Sequence, residues 1–292
     1  MKFGLFVTGY KGMRLLESLE HFPEFVVSYD NKERNDSVHY QKIVQWCMDN
    51  QIKLYQKSNF EEEQLKKVEK VFVVGWQFLI KNSLNKYIVL HDSYLPERRG
   101  FCPTVSSLLD GEDYIGASCF QPTDTEEDSD PDYGIVYGRE KTTIKHPITI
   151  RQAFDLVVEM YIKLIDIFLK GTPSQLDIDY KNDSSFVVWK DKEDLRIDWS
   201  NTADNIHKKI CATGYPYEGS TSLYDNRLIY IDNSKVFPQI NILNPKENCG
   251  KIWKLDDGNP VVICGDGLLQ ILSAHTENGE IINFKLLRKR FL

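Results

Sequence analysis

Short apolar runs alternate with helix-spaced segments through the first part of the chain. "KFGLFVTG" is a compact apolar strand ending on Gly9, and "YKGMRLLESLEHF" carries Met13, Leu15, Leu16 and Leu19 at helical spacing. "EFVVSYD" predicts a second strand and "SVHYQKIVQWCMDNQI" a helix with Ile43, Val44 and Cys47 on one side. "KLYQ" predicts a brief strand, and "NFEEEQLKKVE" a helix whose acidic first turn suits the positive end of its dipole. "KVFVVGW" and "KYIVLHD" are two further strands. Strands alternating with helices imply βαβ units, right-handed crossovers and an α/β fold with a doubly wound, mainly parallel sheet covered on both faces.

Farther along, "TVSSLLDGED" predicts a short helix closed by Gly111, and "YIGASCFQP" and "GIVYGREKTTI" predict strands around an acidic loop, "TDTEEDSDPDYG". "TIRQAFDLVVEMYIKLIDIFLKG" is a long amphipathic helix with Thr149 as N-cap and Gly171 as its stop. Residues 172–200 are polar and irregular, with "FVVW" as a short strand, and read as a connection. "SNTADNIHKKICATGY" predicts a helix entered through Ser200 or Thr202. After it the pattern is all strand and turn, and Asp257-Gly258, Asp266-Gly267 and Asn278-Gly279 are hairpin signals. The expected layout is a doubly wound domain over 1–171, a connection over 172–200 and a small antiparallel, β-barrel-like module of the OB type over 201–292.

Composition narrows the function classes. At 292 residues the chain has room for about two domains at ~150 residues each. A formal net charge of −7 argues against a protein that holds nucleic acid through many phosphate contacts. The closing "KLLRKRFL" is locally basic and reads as a solvated final strand or tail. Cys47, Cys102, Cys119, Cys211, Cys249 and Cys264 form no C-x-x-C pair, so no zinc ribbon and no metal are expected. With no signal peptide before the first strand and no apolar run of membrane-spanning length, a cytoplasmic protein without membrane partners is expected.

Two stretches bear on chemistry. "GYKG" (Gly9–Gly12) turns a strand into a helix but lacks the full G-x-G-x-x-G spacing, so it reads as a tight turn. "VLHDSYLPERRG" places His91 at the carboxyl end of an apolar strand, where a parallel sheet opens its ligand crevice.

The stretch "HDSYLPERRGFCP…LLDGEDYIGAS" resembles the signature of the N10-formyltetrahydrofolate-dependent formyltransferases. The matching positions are His91, Ser93, Leu95, Pro96, Arg99, Gly100, Pro103, Gly111, Glu112 and Gly116, followed by Asp132-Tyr133-Gly134. "FVVGWQFLI" is similar to that family's folate-side strand and loop. "IHKKICATGYPYEG" and "GKIWKLDDGNPVVICGDGLLQIL" are similar to its C-terminal module, so the resemblance covers nearly the whole chain. It implies the formyltransferase variant of the Rossmann fold, an enzyme, and N10-formyltetrahydrofolate as co-substrate.

The resemblance also implies roles. An amine attacks the formyl carbon and an oxyanion forms. Imidazole suits the proton transfer, a carboxylate orients it, and the oxyanion needs a fixed donor. His91 and Asp132 match the catalytic positions. Asp132 is preferred because Gly134 follows at the family's spacing, with Asp130 as its rival and a folate-side residue. Trp76, Gln77, Phe78, Leu79, Ile80, Tyr94, Leu95 and Pro96 match the folate-side loops. The family's third residue, an Asn two places before the histidine, is here Val89, which cannot donate a hydrogen bond. Loss of one such donor costs roughly 10²–10³ in rate. Either Gln77, Asn82 or a protonated His91 supplies the donor, or formyl transfer is weak, altered or absent. The alternatives are a formyl hydrolase or a folate- or nucleotide-binding protein with degenerate catalysis. Within the family, the acidic charge disfavours tRNA as acceptor. The C-terminal module disfavours a single-domain purine enzyme. A nucleotide-linked amino sugar of the kind used in bacterial surface polysaccharide is the expected small-molecule acceptor, with a homodimer left open.

Overall fold

The computed structural model describes residues 1–30, 37–78, 80, 85–123, 131–171, 173–238, 240–284 and 288–292. β1 (Phe3–Val7) leads into α1 (Gly9–Ser18) and β2 (Phe25–Ser28) into α2 (Ser37–Asp49), followed by β3 (Lys53–Gln56), β4 (Lys70–Val74) and β5 (Tyr87–His91). These five strands are parallel neighbours in the order β3-β2-β1-β4-β5. β1 and β2 are buried at every position, which is why they appear in sequence as unbroken apolar runs. Gly12 lets α1 approach β1 closely, since a methyl group there would lie 2.9 Å from Val7 Cβ.

The two-residue β6 (Arg99–Gly100) and α3 (Pro103–Asp110) precede β7 (Tyr114–Pro122) and β8 (Gly134–Thr143), which extend the sheet beyond β5. Both run antiparallel to their neighbours, so the seven-stranded sheet is mixed at this end. Only residues 123–133 separate β7 from β8, fewer than the dozen or more that a crossover between parallel strands needs. The long helix α4 (Ile150–Lys170) opens with a reciprocal cap. Gln152 N donates to Thr149 Oγ1 at 3.3 Å, and Thr149 N donates to Gln152 Oε1 at 3.0 Å. The helix expected over "NFEEEQLKKVE" is instead a 3₁₀ turn at Glu62–Lys67, where Leu65 is the only buried residue; one apolar anchor cannot sustain a longer helix.

Two compact units divide the chain. The first comprises Met1–Thr104, Tyr114–Thr143 and Phe154–Val188; the second comprises Val105–Asp113, Ile144–Ala153 and Trp189–Leu292. The stretch expected to be a connection is thus shared. α5 (Tyr180–Asp183) and β9 (Phe186–Val187) belong to the first unit, where β9 pairs with β6.

In the second unit, α6 (Ala203–Thr213) starts at Thr202, whose hydroxyl accepts from Asn205 N at 3.2 Å. β10 (Ser220–Tyr224), β11 (Arg227–Phe237), β12 (Ile252–Asp256), β13 (Asn259–Ile263) and β14 (Leu268–Thr276) form an antiparallel sheet in the order β10-β11-β14-β13-β12. Asp257 and Gly258 have φ of 49° and 78° and make the two-residue hairpin expected between β12 and β13. Asp225-Asn226, with φ of 54° and 60°, makes an equivalent hairpin that the missing glycine concealed.

The basic C-terminal segment does structural work. Leu292 exchanges backbone hydrogen bonds with Leu223 beside one sheet edge, at 2.8 and 3.0 Å. Lys289 and Phe291 bond Ile252 and Gly250 beside the other edge, at 3.0 and 2.8 Å. The tail therefore bridges β10 and β12 and closes the sheet into a barrel, with Phe291 1% exposed in the core. Phe291→Ala is expected to destabilise the second unit by ~3–5 kcal/mol in urea unfolding. A solvated tail would show no change.

Candidate active site

The β4/β5 register pairs Val74 with Leu90, so Gly75 flanks His91; β1 pairs Val7 with Val74 and brings Thr8 to the same edge. The carboxyl ends of β1, β4 and β5 thus lie side by side where an open α/β sheet binds ligands. His91 is 7% exposed and shares its face of β5 with Val89, because side chains alternate along a strand. Its Nδ1 lies 3.5 Å from Asp132 Oδ1, and its Nε2 lies 3.4 Å from the Arg98 carbonyl oxygen. Both ring nitrogens face acceptors, so an imidazolium can donate at both and a neutral ring at one.

Asp132 is held in place by backbone. Its Oδ2 accepts from Gly100 N at 2.8 Å, and its own φ of 54° turns the chain back at that point. Gly100 has φ 102°, and a methyl group there would lie 2.4 Å from Val187 O, so no other residue fits. Arg99, 2% exposed, clamps the same loop: Nε donates to Pro131 O at 2.9 Å. Its guanidinium lies 5.5, 5.1 and 4.7 Å from the ring centres of Tyr133, Tyr180 and Phe186. Sequence reasoning carried Arg99 and Gly100 as motif matches but not this role. It also missed the 180–187 stretch, whose polar sequence resembles a linker. The rival aspartate Asp130, with Asp124 and Asp128, lies outside the described residues.

Val89 joins two apolar clusters. One contains Val73 and Tyr87 with Trp76 and Ile80 at its margin; the other contains Leu95, Phe120 and Val136. The side of the strand where an amide was expected is therefore hydrophobic. Of the substitute donors considered, Gln77 is exposed and Asn82 lies outside the described residues. The loop after β4 begins at Gly75, whose φ is 67° and whose added methyl would meet Thr8 O at 2.8 Å. Half-buried Trp76 sits 5.0 Å from Phe6 and 5.2 Å from Tyr29 between ring centres, while Phe78 is 43% exposed. Ile80 is half-buried, and Leu79 lies outside the described residues. Leu95 and Pro96 are buried. Leu95 donates its N–H to Ser118 Oγ at 2.9 Å and accepts from Arg139 at 2.6 Å. Tyr94 is half-buried beneath Arg139 and Lys141, 4.3 and 5.1 Å from its ring centre. Leu95 and Pro96 therefore shape the loop from within, and Tyr94 alone of the three offers surface.

A charged pair that the sequence did not signal stands next to the histidine. Asp92, 9% exposed, accepts from Lys11 Nζ at 2.5 Å and from Thr104 Oγ1 at 2.7 Å. Burial alone would raise its carboxyl. The Lys11 charge, the neighbouring His91 and the hydrogen bonds from Lys11 and Thr104 outweigh that and bring it down to about 2. Lys11 comes from the "GYKG" turn, which thereby acquires a role beyond tight turning. Among the described residues no group of three or more His, Cys, Asp or Glu could hold a metal, and no helix is long and apolar enough to cross a membrane.

Since the folded carboxyl titrates below the unfolded value of ~3.9, its stabilisation is present above roughly pH 4 and lost as pH falls toward about 2. Asp92→Asn leaves Lys11 uncompensated and is expected to cost ~3 kcal/mol at neutral pH in urea unfolding. The gap to wild type should narrow below about pH 3.

Residues 190–291 match the model of the formyl transferase C-terminal domain. The methionyl-tRNA formyltransferase of Fusobacterium nucleatum subsp. nucleatum is 27% identical over 277 residues, covering 87% of this chain and 86% of that protein. Among solved structures, the sugar 3N-formyltransferase WlaRD superposes with a TM-score of 0.62 at 17% identity, over 98% of this chain and 99% of that one. An N-formyltransferase from Helicobacter canadensis does so with a TM-score of 0.61 at 16% identity, over 93% and 98%. The mixed sheet and the antiparallel second unit have the fold of those structures, and residues 190–291 are similar to the formyl transferase C-terminal domain.

Proposed function

We propose that this protein is a formyltransferase that moves a formyl group from N10-formyltetrahydrofolate to the primary amine of a nucleotide-linked amino sugar. The observation that carries the reading is the His91–Asp132 pair, 3.5 Å apart, at the strand ends beside the Gly75 loop. When bound, the folate supplies the electrophilic formyl carbon. The site fits such a group. Gly75 brings main-chain donors and acceptors to the sheet edge without a side chain, and Trp76 and Phe78 offer aromatic faces to a flat heterocycle. Gln77 adds an exposed amide, and Ile80 adds apolar cover.

His91 takes up the proton that the attacking amine must shed. Asp132 faces Nδ1, while the Gly100 N–H keeps that carboxylate from swinging away. The Arg98 carbonyl accepts from Nε2 when that nitrogen is protonated.

The net charge of −7 supports a small acceptor over tRNA, whose phosphates an acidic surface repels. Two structural neighbours are sugar N-formyltransferases, one studied with dTDP and the other with dTDP-3-aminofucose. The sequence relatives that act on methionyl-tRNA supply the competing acceptor. Incubation with N10-formyltetrahydrofolate and a panel of nucleotide amino sugars, beside initiator methionyl-tRNA, is expected to give a formylated sugar. Formyl-methionyl-tRNA as the sole product would reject the sugar reading.

Val89 favours a second reading, in which the same site releases formate to water or binds its ligands with little turnover. The hydrophobic wall at this position offers no donor to a developing oxyanion. Val89→Asn is expected to raise transfer to the amine at least about tenfold, a part of the roughly 10²–10³ that one donor contributes. Formate release by wild type without any acceptor, unchanged in Val89→Asn, would favour the hydrolase.

A further inference from the structure

The Lys11–Asp92 pair has no part in the proton transfer just described, yet it is buried beside it. Lys11 is the third residue of α1, and its Nζ also lies 4.8 Å from the ring centre of Phe154 in α4. Asp92 follows His91 directly, and its second carboxylate oxygen is tied to Thr104 at the start of α3. One carboxylate thus connects the first helix, the catalytic strand end and the helix after the histidine loop. An ion pair this buried is costly to assemble and rarely a net source of stability.

We propose that the Lys11–Asp92 ion pair, anchored by Thr104, is the positioning device for His91: it fixes the strand end that carries the imidazole and sets the balance of charge around the ring. This rests on His91 acting as the base. Among the described residues, the charged and titratable groups around the strand end include Lys11 from α1, Tyr161 from α4, Asp92 itself, Asp132 from the loop before β8 and Arg99 from β6. Tyr161 is fully buried with no hydrogen-bond partner for its hydroxyl among the described residues, and burial, then Asp92 and Asp132, keep it un-ionised. Asp92 and Lys11 are the paired opposite charges at this strand end; in general a carboxylate attracts a nearby proton and an ammonium repels it. With both present, the strand end is held by an ion pair.

The two charges make opposite predictions, which mere structural support does not. In the full-length protein without folate or acceptor, the His91 ring signals can be assigned by their loss in His91→Gln and titrated by NMR. Asp92→Asn is expected to lower the His91 midpoint by about one pH unit and Lys11→Met to raise it by a similar amount. The double variant should return close to wild type, and Lys11→Arg should leave the midpoint in place. If Asp92→Asn does not fold, Lys11→Met decides alone. An upward shift supports the proposal; no shift, a downward shift, or movement of both single variants in one direction overturns it. Because no acceptor is used, this outcome is independent of whether the sugar reading holds.

Discussion

The hydrogen bond from the Gly100 amide to Asp132 is the constraint on which the site depends. Asp132 lies on the loop before β8 and His91 at the end of β5, with β7 between these strands in the sheet. Nothing in the sheet register brings the two side chains together. The carboxylate reaches the imidazole because Gly100 holds its other oxygen and Arg99 grips the preceding carbonyl at Pro131. Gly100 can do so because β9 lies against it, so closely that only glycine fits beneath Val187 O. A segment far along the chain thus holds the Asp132 loop through one backbone amide, a fixed donor with no rotamer entropy to lose.

Against that frame, the other charged elements fall into two groups. Asp132 and the Arg98 carbonyl address the imidazole directly, both as acceptors. Lys11 from α1 and Thr104 from α3 both hold Asp92, the residue after the histidine. Val89 breaks the polar character of the site on the remaining side. It sits where apolar clusters meet, and its neighbours Leu95, Phe120 and Val136 pack as a core does. Replacing an amide donor with valine at such a place removes a polar group that would have needed its own partner. The gain is local packing.

Much of this was legible before any coordinates. Unbroken apolar runs marked β1, β2, β4 and β5, because strands covered on both faces have no polar side to show. The place of His91 at a strand end was legible because the apolar run stops at it. The antiparallel end of the sheet was not, since strand direction depends on connection geometry and not on side-chain pattern. Residues 180–187 looked like a linker because their contribution is made by backbone groups and by a ring against Arg99. Asp92 and Lys11 were hidden for another reason. They lie 81 positions apart, and neither charge is unusual until the fold buries both together. The basic tail misled in the opposite direction, its charges drawing attention from Phe291, the residue that plugs the barrel.

The central claim is that His91 and Asp132 act as one proton-handling unit. The most direct measurement is the kcat/KM of Asp132→Asn for formyl transfer, together with folate binding by the same variant. The account predicts a loss of ~10²-fold or more with folate affinity within about a factor of three of wild type. Full activity in Asp132→Asn, or a loss explained entirely by weaker folate binding, would contradict it.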